Sequence, residues 1–380
     1  MAHTADIVII GGGMAGVSVA ANLLGAGGAA RPGTACGSVL LLEAENELAY
    51  HTTGRSAAKY LESYGSAQVR ALTRASRARY DAAAGDGETP PLLTPGPEMI
   101  TADAAALPAL DARLAEVPSL RRLTAGEARA ICPVLAESYV AGAAIEDGAA
   151  DIDVLGLHQH YLRAARRRGL EVLTGARVRS AVRNGNAWRI ETSGGTVEAG
   201  TVVNAAGAWA DEVAAVFGAA KVGLTPMRRT LAIVPAEGLD RSWPIVADMA
   251  ETFYFRPEGD ALLISPTDET PSDPVDAKPD ELDVALAIER VNAATTLGIR
   301  SVRTAWAGLR TFAPDRLPVV GHDPAVPGLF WLAGQGGYGI QMAPALAACA
   351  DALVRNAAVP ADLLADGVDP AALTPSRFAA

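Results

Sequence analysis

Asp6-Ile-Val-Ile-Ile-Gly11-Gly12-Gly13-Met14-Ala15-Gly16 is the stretch on which the fold turns. The apolar run Ile7 to Ile10 predicts a buried strand, and the Ala/Leu-rich segment to about Leu24 predicts a helix. Between them Gly11 permits a tight turn, Gly13 lets backbone approach a pyrophosphate, and Gly16 lets the helix pack close to the sheet. The helix start adds free N–H groups and a positive dipole for that anion. Gly11, Gly13, Met14, Ala15 and Gly16 are therefore the expected cofactor contacts of this turn. Val39-Leu-Leu-Leu-Glu43 follows as a second strand, ending in an acid placed to take both hydroxyls of a ribose. Glu43 lies 32 residues after Gly11, against about 20 in the usual spacing. The extra residues, Gly25 to Gly37, read as a loop insertion, which costs only about 0.6 kcal/mol per doubling of length. The turn alone does not separate FAD from NAD.

Outward from this motif, two further segments have the same strand-and-helix texture. Leu170 to Val203 holds short β-rich runs (Glu171–Leu173, Trp188–Thr192, Thr201–Val203) split by Asn184-Gly185-Asn186 and Gly194-Gly195 turns. Leu329–Ala333 leads through a glycine-rich turn into an Ala-rich helix from Ile340 to about Arg355. The stretches between them differ. The later one holds an apparent hairpin, Thr252–Arg256 and Ala261–Ser265, joined by Pro257-Glu258-Gly259-Asp260. Thr267 to Glu281, rich in Pro, Asp and Glu, predicts a mobile surface loop. This alternation predicts two interleaved domains in an α/β chain. A Rossmann-like nucleotide-binding domain takes residues 1–84, 146–221 and 306–380. A smaller α+β domain with an antiparallel sheet takes 85–145 and 222–305.

Composition narrows the function classes. The 380 residues exceed what one hydrophobic core usually holds. Half are hydrophobic and the mean hydropathy is +0.18, which excludes general disorder. A net charge of −11 and a pI near 5.0 disfavour nucleic acid and anionic lipid as partners. Three scattered cysteines, Cys36, Cys132 and Cys349, form neither a disulfide framework nor a zinc cluster. The N-terminus lacks the basic start and long apolar core of a secretory signal, and no apolar stretch approaches the roughly 20 residues of a membrane helix. The expectation is a cytoplasmic globular protein without metal.

Four more segments share a pattern with the glycine turn. They are Tyr50-His-Thr-Thr-Gly-Arg-Ser-Ala-Ala-Lys-Tyr60, Val203-Asn-Ala-Ala-Gly-Ala-Trp-Ala210, Trp306-Ala-Gly-Leu-Arg-Thr-Phe-Ala-Pro-Asp315 with Leu317-Pro-Val-Val-Gly321, and Ala333-Gly-Gln-Gly-Gly-Tyr-Gly-Ile-Gln341. In this order and spacing the chain resembles the FAD-dependent D-amino-acid oxidase superfamily, in its glycine-oxidase and D-amino-acid-dehydrogenase branch. Within that branch it is most similar to the D-arginine dehydrogenases, in Pro97-Glu98-Met99, Met227-Arg-Arg229, Phe253-Tyr254 and Ala150-Asp-Ile-Asp153 as well. The resemblance implies oxidation of an amino acid's C–N bond by hydride transfer to flavin N5, giving a 2-oxo acid and ammonia, with an electron acceptor left open. It implies that Thr53, Arg55 and Ser56 line the FAD, that Val178 meets adenine, and that Gly207 passes beside the cofactor. Gly336, Gly337, Tyr338, Gly339, Ile340 and Gln341 should cover the isoalloxazine. Relatives with covalent FAD use a cysteine in the segment matching Gly308–Asp315. This chain has none there, so the FAD is expected to be non-covalent.

At the reacting centre an amino-acid carboxylate calls for a planar, bidentate cation. Arg310 and Arg229 match the family's substrate-contacting positions, and Tyr64 and Tyr254 match its aromatic walls. By the same resemblance Gly308 and Gly337 should border the substrate. Glu98 matches the carboxylate that meets the distal cation of basic substrates, which favours D-Arg or D-Lys. Lys59 departs from the histidine expected in the closest relatives. A lysine near the flavin would alter amine deprotonation or promote reaction with oxygen. No dedicated general base is evident. The runner-up reading is an oxidase of glycine, sarcosine or cyclic imino acids. An NAD-dependent dehydrogenase or a non-catalytic nucleotide-binding module is the reading from another class.

Three other signals point to structure. His158 and His160 stand two apart in a helix-like segment and do not face each other. Arg166-Arg167-Arg168 suits a helix C-terminus before Gly169. Thr124 with Glu127 predicts a capping box.

Overall fold

A computed structural model of the chain describes residues 3–26, 37–84 and 89–378, so Cys36 and most of the Gly25–Gly37 insertion lie outside the described residues. The parallel core of the first sheet runs Glu171–Leu173, Val39–Leu42, His3–Ile10, Gly195–Asn204, Leu329–Ala333. The first half of Gly195–Asn204 also pairs antiparallel with Ala187–Thr192 and its end pairs parallel with Leu329–Ala333, so one strand edge serves two neighbours in turn.

The strand periodicity divides the core. Ile7 and Ile9 pack with Val17, Leu23, Leu157 and Leu346 on one face. Val8 and Ile10 pack with Trp188, Phe217 and Trp331 on the other. A sheet covered on both faces needs continuous apolar runs, which is why Ile7–Ile10 and Val39–Leu42 show no polar alternation. Each fully buried aliphatic side chain contributes about 1.5–3 kcal/mol. The helices Met14–Leu23, Ala67–Ala84, Val154–Arg167 and Ala343–Val354 pack together on the first face. The last of these starts three residues later than the glycine-rich turn suggests, because Pro344 is tolerated only in a first helical turn.

The second sheet has ten strands among the described residues and is antiparallel except where Glu98–Ala102 runs parallel to Ile245–Asp248. That pair joins segments far apart in sequence, where no tight turn dictates direction. Thr225–Val234 and Thr304–Phe312 pair along nine residues at its heart. The long strand Thr304–Phe312 therefore hydrogen-bonds into the second sheet across the boundary drawn at residue 306. The hairpin forms with a shorter connection than expected, since Pro257 and Glu258 pair with Leu262 and Ala261 and leave only Gly259-Asp260 in the turn. One face of this sheet packs Met99, Ile145, Val234, Phe255 and Ile264 against the helix Glu281–Ala294. The opposite face turns toward the first sheet.

The Thr267–Glu281 stretch is pinned at several points. Thr270–Pro271 pairs with Met227 and Arg228, and Asp280 caps the helix Glu281–Ala294. Asp268 accepts from the Thr230 N–H at 2.7 Å. Acidic composition reads as solvation in a sequence, but here each of these aspartates has a partner. The capping box at Thr124 and Glu127 forms, and the Arg-rich end of Val154–Arg167 stops before Gly169 in the left-handed region at φ +91°.

Candidate active site

The glycine turn sits where the first strand, the helix Met14–Leu23 and the Ala205–Gly207 segment meet. Gly11 adopts φ +110°, and a Cβ there would lie 2.4 Å from the Ala205 carbonyl oxygen. A Cβ on Gly16 would lie 1.9 Å from the Gly11 carbonyl oxygen. Gly13 caps the helix without a side chain and the first turn carries no acid, which leaves the N-terminal dipole open to an anion. Thr53 Oγ1 accepts from Met14 N at 3.0 Å. Glu43, at the end of its strand, accepts from Gly12 N at 2.8 Å and from Glu45 N at 2.9 Å. Its carboxylate is thus fixed at the turn by backbone, with a second lone pair on each oxygen for a hydroxyl donor. Behind the turn, buried His158 donates from Nε2 to the Gly12 carbonyl at 3.0 Å, and burial holds its pKa below the usual histidine value. His158, weighed in the sequence only against His160, is thus a support of the turn.

Two cavities run through this region. The smaller, about 330 Å³, is bordered by Gly11, Glu43, Arg177, Val178 and Trp209. The larger, about 870 Å³, extends from Met14 and Ala15 to the inner face of the second sheet. Gly13, Thr53, Ala205 and Gly207 border both. An elongated two-part groove with a bare helix terminus at its waist fits a dinucleotide such as FAD, whose pyrophosphate belongs at that waist.

The expected cofactor contacts divide. Ser56, Gly336, Tyr338, Gly339, Ile340 and Gln341 all border the larger cavity. Gly336 adopts φ +57°, and a Cβ on it would lie 2.3 Å from the Phe312 ring. Gln341 is buried and donates to Thr73 Oγ1 at 2.9 Å. Arg55 borders the cavity as well, but its guanidinium is bound to Asp276 and to the carbonyls of Ala277 and Ala307. It ties the 267–281 stretch to the cavity wall.

Strand alternation supplies the rest of the site. Along the second sheet Glu98, Ile100, Ala247, Tyr254, Arg229 and Arg310 border the larger cavity, while their neighbours Met99, Val246, Phe255, Ala232 and Ala307 face away or sideways. Met227 pairs with Arg310 and Arg229 with Gly308, which sets the two guanidiniums on one face of adjacent strands. Arg310, 9 % exposed, donates to Tyr64 Oη at 2.7 Å. A Cβ on Gly337 would lie 1.6 Å from Arg310 Nη2, so only glycine lets that backbone cover the guanidinium. Burial works against the Arg310 charge, but Tyr64 and Glu269 outweigh it and hold its pKa above the ordinary arginine value. Arg229 is pushed the other way by burial and by Arg310, and is steadied by donating from Nε to the Asp268 carbonyl at 2.8 Å. Tyr64 stands edge-on to Tyr338 with ring centroids 4.9 Å apart.

At the far end of the same cavity Glu98 is 9 % exposed and pairs across the sheet with Glu146. Burial, reinforced by Glu146, pushes the Glu98 carboxyl up to about 8, against the pull of Lys59 and Arg113. Lys59, 8 % exposed, donates to the Gly96 carbonyl at 2.6 Å and pairs with Asp151 at 3.1 Å. Burial lowers its pKa, opposed by Asp151.

Sequence reasoning missed Glu269 and Arg316. Glu269 lies 3.3 Å from Arg310 Nη1 and 3.6 Å from Arg229 Nη2, and both its oxygens lie 2.9 Å from Arg316 Nη2. Arg316 adopts φ +61°, unusual for a non-glycine residue, and its guanidinium lies 3.8 Å over the Phe312 ring. No short motif marks either position. Among the described residues no group of three or more His, Cys, Asp or Glu is placed to hold a metal, and no helix is long and apolar enough to cross a membrane.

The chain is 28% identical to the uncharacterized oxidoreductase YurR of Bacillus subtilis (strain 168) over 243 residues, which are 61% of this chain and 62% of that protein. It spans less than two thirds of the length of the curated relatives it first matches. Its fold is shared with glycine oxidase from Geobacillus kaustophilus (TM-score 0.82, 22% identity, 99% of both chains). L-proline dehydrogenase from P. horikoshii has the same fold (TM-score 0.83, 19% identity, 100% of this chain and 99% of that one). The glycine turn, the two-part groove and a match to the DAO family model over residues 6–353 agree, and the chain belongs to the DAO family of FAD dependent oxidoreductases.

Proposed function

We propose that this protein is an FAD-dependent D-amino-acid dehydrogenase that favours basic D-amino acids such as D-arginine or D-lysine. The observation that carries the reading is one cavity with a paired guanidinium end, Arg229 and Arg310, and a buried carboxylate end, Glu98. FAD supplies the hydride acceptor for the substrate's α-carbon, and the imino acid formed hydrolyses to a 2-oxo acid and ammonia. Arg310 holds the α-carboxylate in its fork, Arg229 adds a second charge, and Tyr64 and Tyr254 wall the site. Tyr64 also accepts from Arg310 and so fixes its orientation. Glu98 faces the distal cation of the substrate. Residues 85–145 and 222–305, with the strand Thr304–Phe312, act as the substrate-binding part. The D preference is supported by the likeness of Pro97-Glu98-Met99 and Met227-Arg-Arg229 to D-arginine dehydrogenases.

A second reading, an oxygen-using oxidase of glycine, sarcosine or cyclic imino acids, is favoured by Lys59, whose ammonium offsets Glu98 at the distal end. Anaerobic mixing of the holoenzyme with D- and L-amino acids, followed by flavin absorbance, separates these readings. Bleaching by D-Arg at the lowest concentration supports the first. Bleaching by L-Arg but not D-Arg overturns it, and stoichiometric peroxide in air with glycine or proline establishes the second.

A further inference from the structure

Glu269 is a carboxylate already seated on the arginines that the proposed function reserves for a substrate carboxylate. Its Oε1 lies 3.3 Å from Arg310 and 3.6 Å from Arg229, while Arg316 holds both oxygens from the outer side. Arg310 has one terminal nitrogen on Tyr64 and the other toward Glu269. A substrate laid bidentate on this guanidinium competes with Glu269 directly.

The backbone around Glu269 is anchored on both sides, which limits the motion needed to its side chain. Asp268 is bound to the Thr230 N–H, and Thr270 pairs with Arg228 on the sheet. The Glu269 side chain is 31% exposed and Arg316 is 46% exposed. A rotation toward solvent keeps the contact with Arg316 while vacating Arg310 and Arg229. Charge then stays balanced, since one carboxylate replaces another beside the inner pair.

We propose that Glu269 is a specificity-determining resident carboxylate, which holds the inner arginines in the free enzyme and is exchanged onto Arg316 when a ligand carboxylate binds. Ligands of the same shape without a carboxylate cannot make this exchange. The proposal rests on Arg310 being the carboxylate anchor, and the test separates the two.

The test titrates the holoenzyme with benzoate and with its neutral isostere benzamide, following the perturbation of flavin absorbance. Flavin content checks that each variant is folded and loaded. Glu269→Gln removes the competing charge and should tighten benzoate about tenfold, with benzamide unchanged. Glu269→Ala should reproduce the benzoate gain. An unchanged or weaker benzoate Kd in both variants overturns the proposal, as does an equal gain for benzamide in Glu269→Gln. Arg310→Ala addresses the anchor by itself: if it binds benzoate like the wild type, the anchor reading falls and the exchange falls with it. If Arg310→Ala abolishes binding while both Glu269 variants change nothing, only the exchange is overturned.

Discussion

At one end of the larger cavity Arg229, Arg310 and Arg316 share the carboxylate of Glu269, and nearly every charge has a hydrogen-bonded partner. At the other end Glu98 lies across from Glu146, two buried acids on neighbouring strands, with Lys59 and Arg113 opposing them. The first end is compensated before any ligand arrives, so its charge is fixed and its geometry is set. The second is short of compensation, so its protonation state is what can change. Fixed charge suits an anchor common to all substrates; adjustable charge suits discrimination among them.

Arg310→Ala strikes the shared anchor and should lower kcat/KM about 10³-fold for basic and neutral substrates alike, as expected when a buried charge pair loses a partner. Stopped-flow flavin reduction reads this, and a loss confined to basic substrates would merge the two ends into one. Glu98→Gln should act on the other end alone. Above pH 8, where Glu98 is anionic, it is expected to cost about 10- to 100-fold in kcat/KM for D-Arg and little for D-Met, since removing a charged partner typically loses about 1.5–3 kcal/mol. Equal losses for both would break the division of labour.

The pH profile follows from the same contrast. With its pKa raised to about 8, Glu98 is neutral below that pH and anionic above it. KM for D-Arg should therefore fall as pH rises through about 8, while KM for D-Met stays flat there. On the stability side, a carboxyl whose folded pKa lies above its unfolded value favours the fold at low pH and loses that contribution as pH rises from about 4.5 to 8. Glu98→Gln should accordingly gain thermal stability relative to wild type above pH 8. Lys59→Met carries the smallest effect. Lys59 pulls Glu98 toward ionisation, so the variant should shift the D-Arg inflection upward while changing dye-linked turnover less than about threefold. A large fall in the rate with oxygen instead would give Lys59 the acceptor role.

The two ends also differ in how far they could be read in advance. Arg310 stands inside an ordered motif and Glu98 inside a short apolar setting, so both were reachable from resemblance. Glu269 and Arg316 carry no such mark. The composition around Glu269 suggested a mobile surface loop, yet Asp268, Glu269 and Asp276 reach arginines on the strands 225–234 and 304–312 and Arg55. Arg55 borders the larger cavity as expected of a cofactor-lining residue, but its partners, Asp276 and two carbonyls, carry no mark in the sequence, because a guanidinium takes the nearest fork of acceptors that packing offers.

The sequence by itself determined the dinucleotide turn, the strands on either side of it, the capping box at Thr124 and the motifs that carry the family, because each rests on neighbours within a few residues. Gly11, Gly13 and Gly16 act through local backbone freedom and close approach, and apolar runs declare a strand buried on both faces. Only the tertiary structure decided which charges meet. The register of Thr225–Val234 on Thr304–Phe312 sets Arg229 beside Arg310, and the pairing of Thr270 with Arg228 delivers Glu269 between them. Those contacts span dozens of residues of chain, and electrostatic partnership depends on distance in space, which no local pattern records.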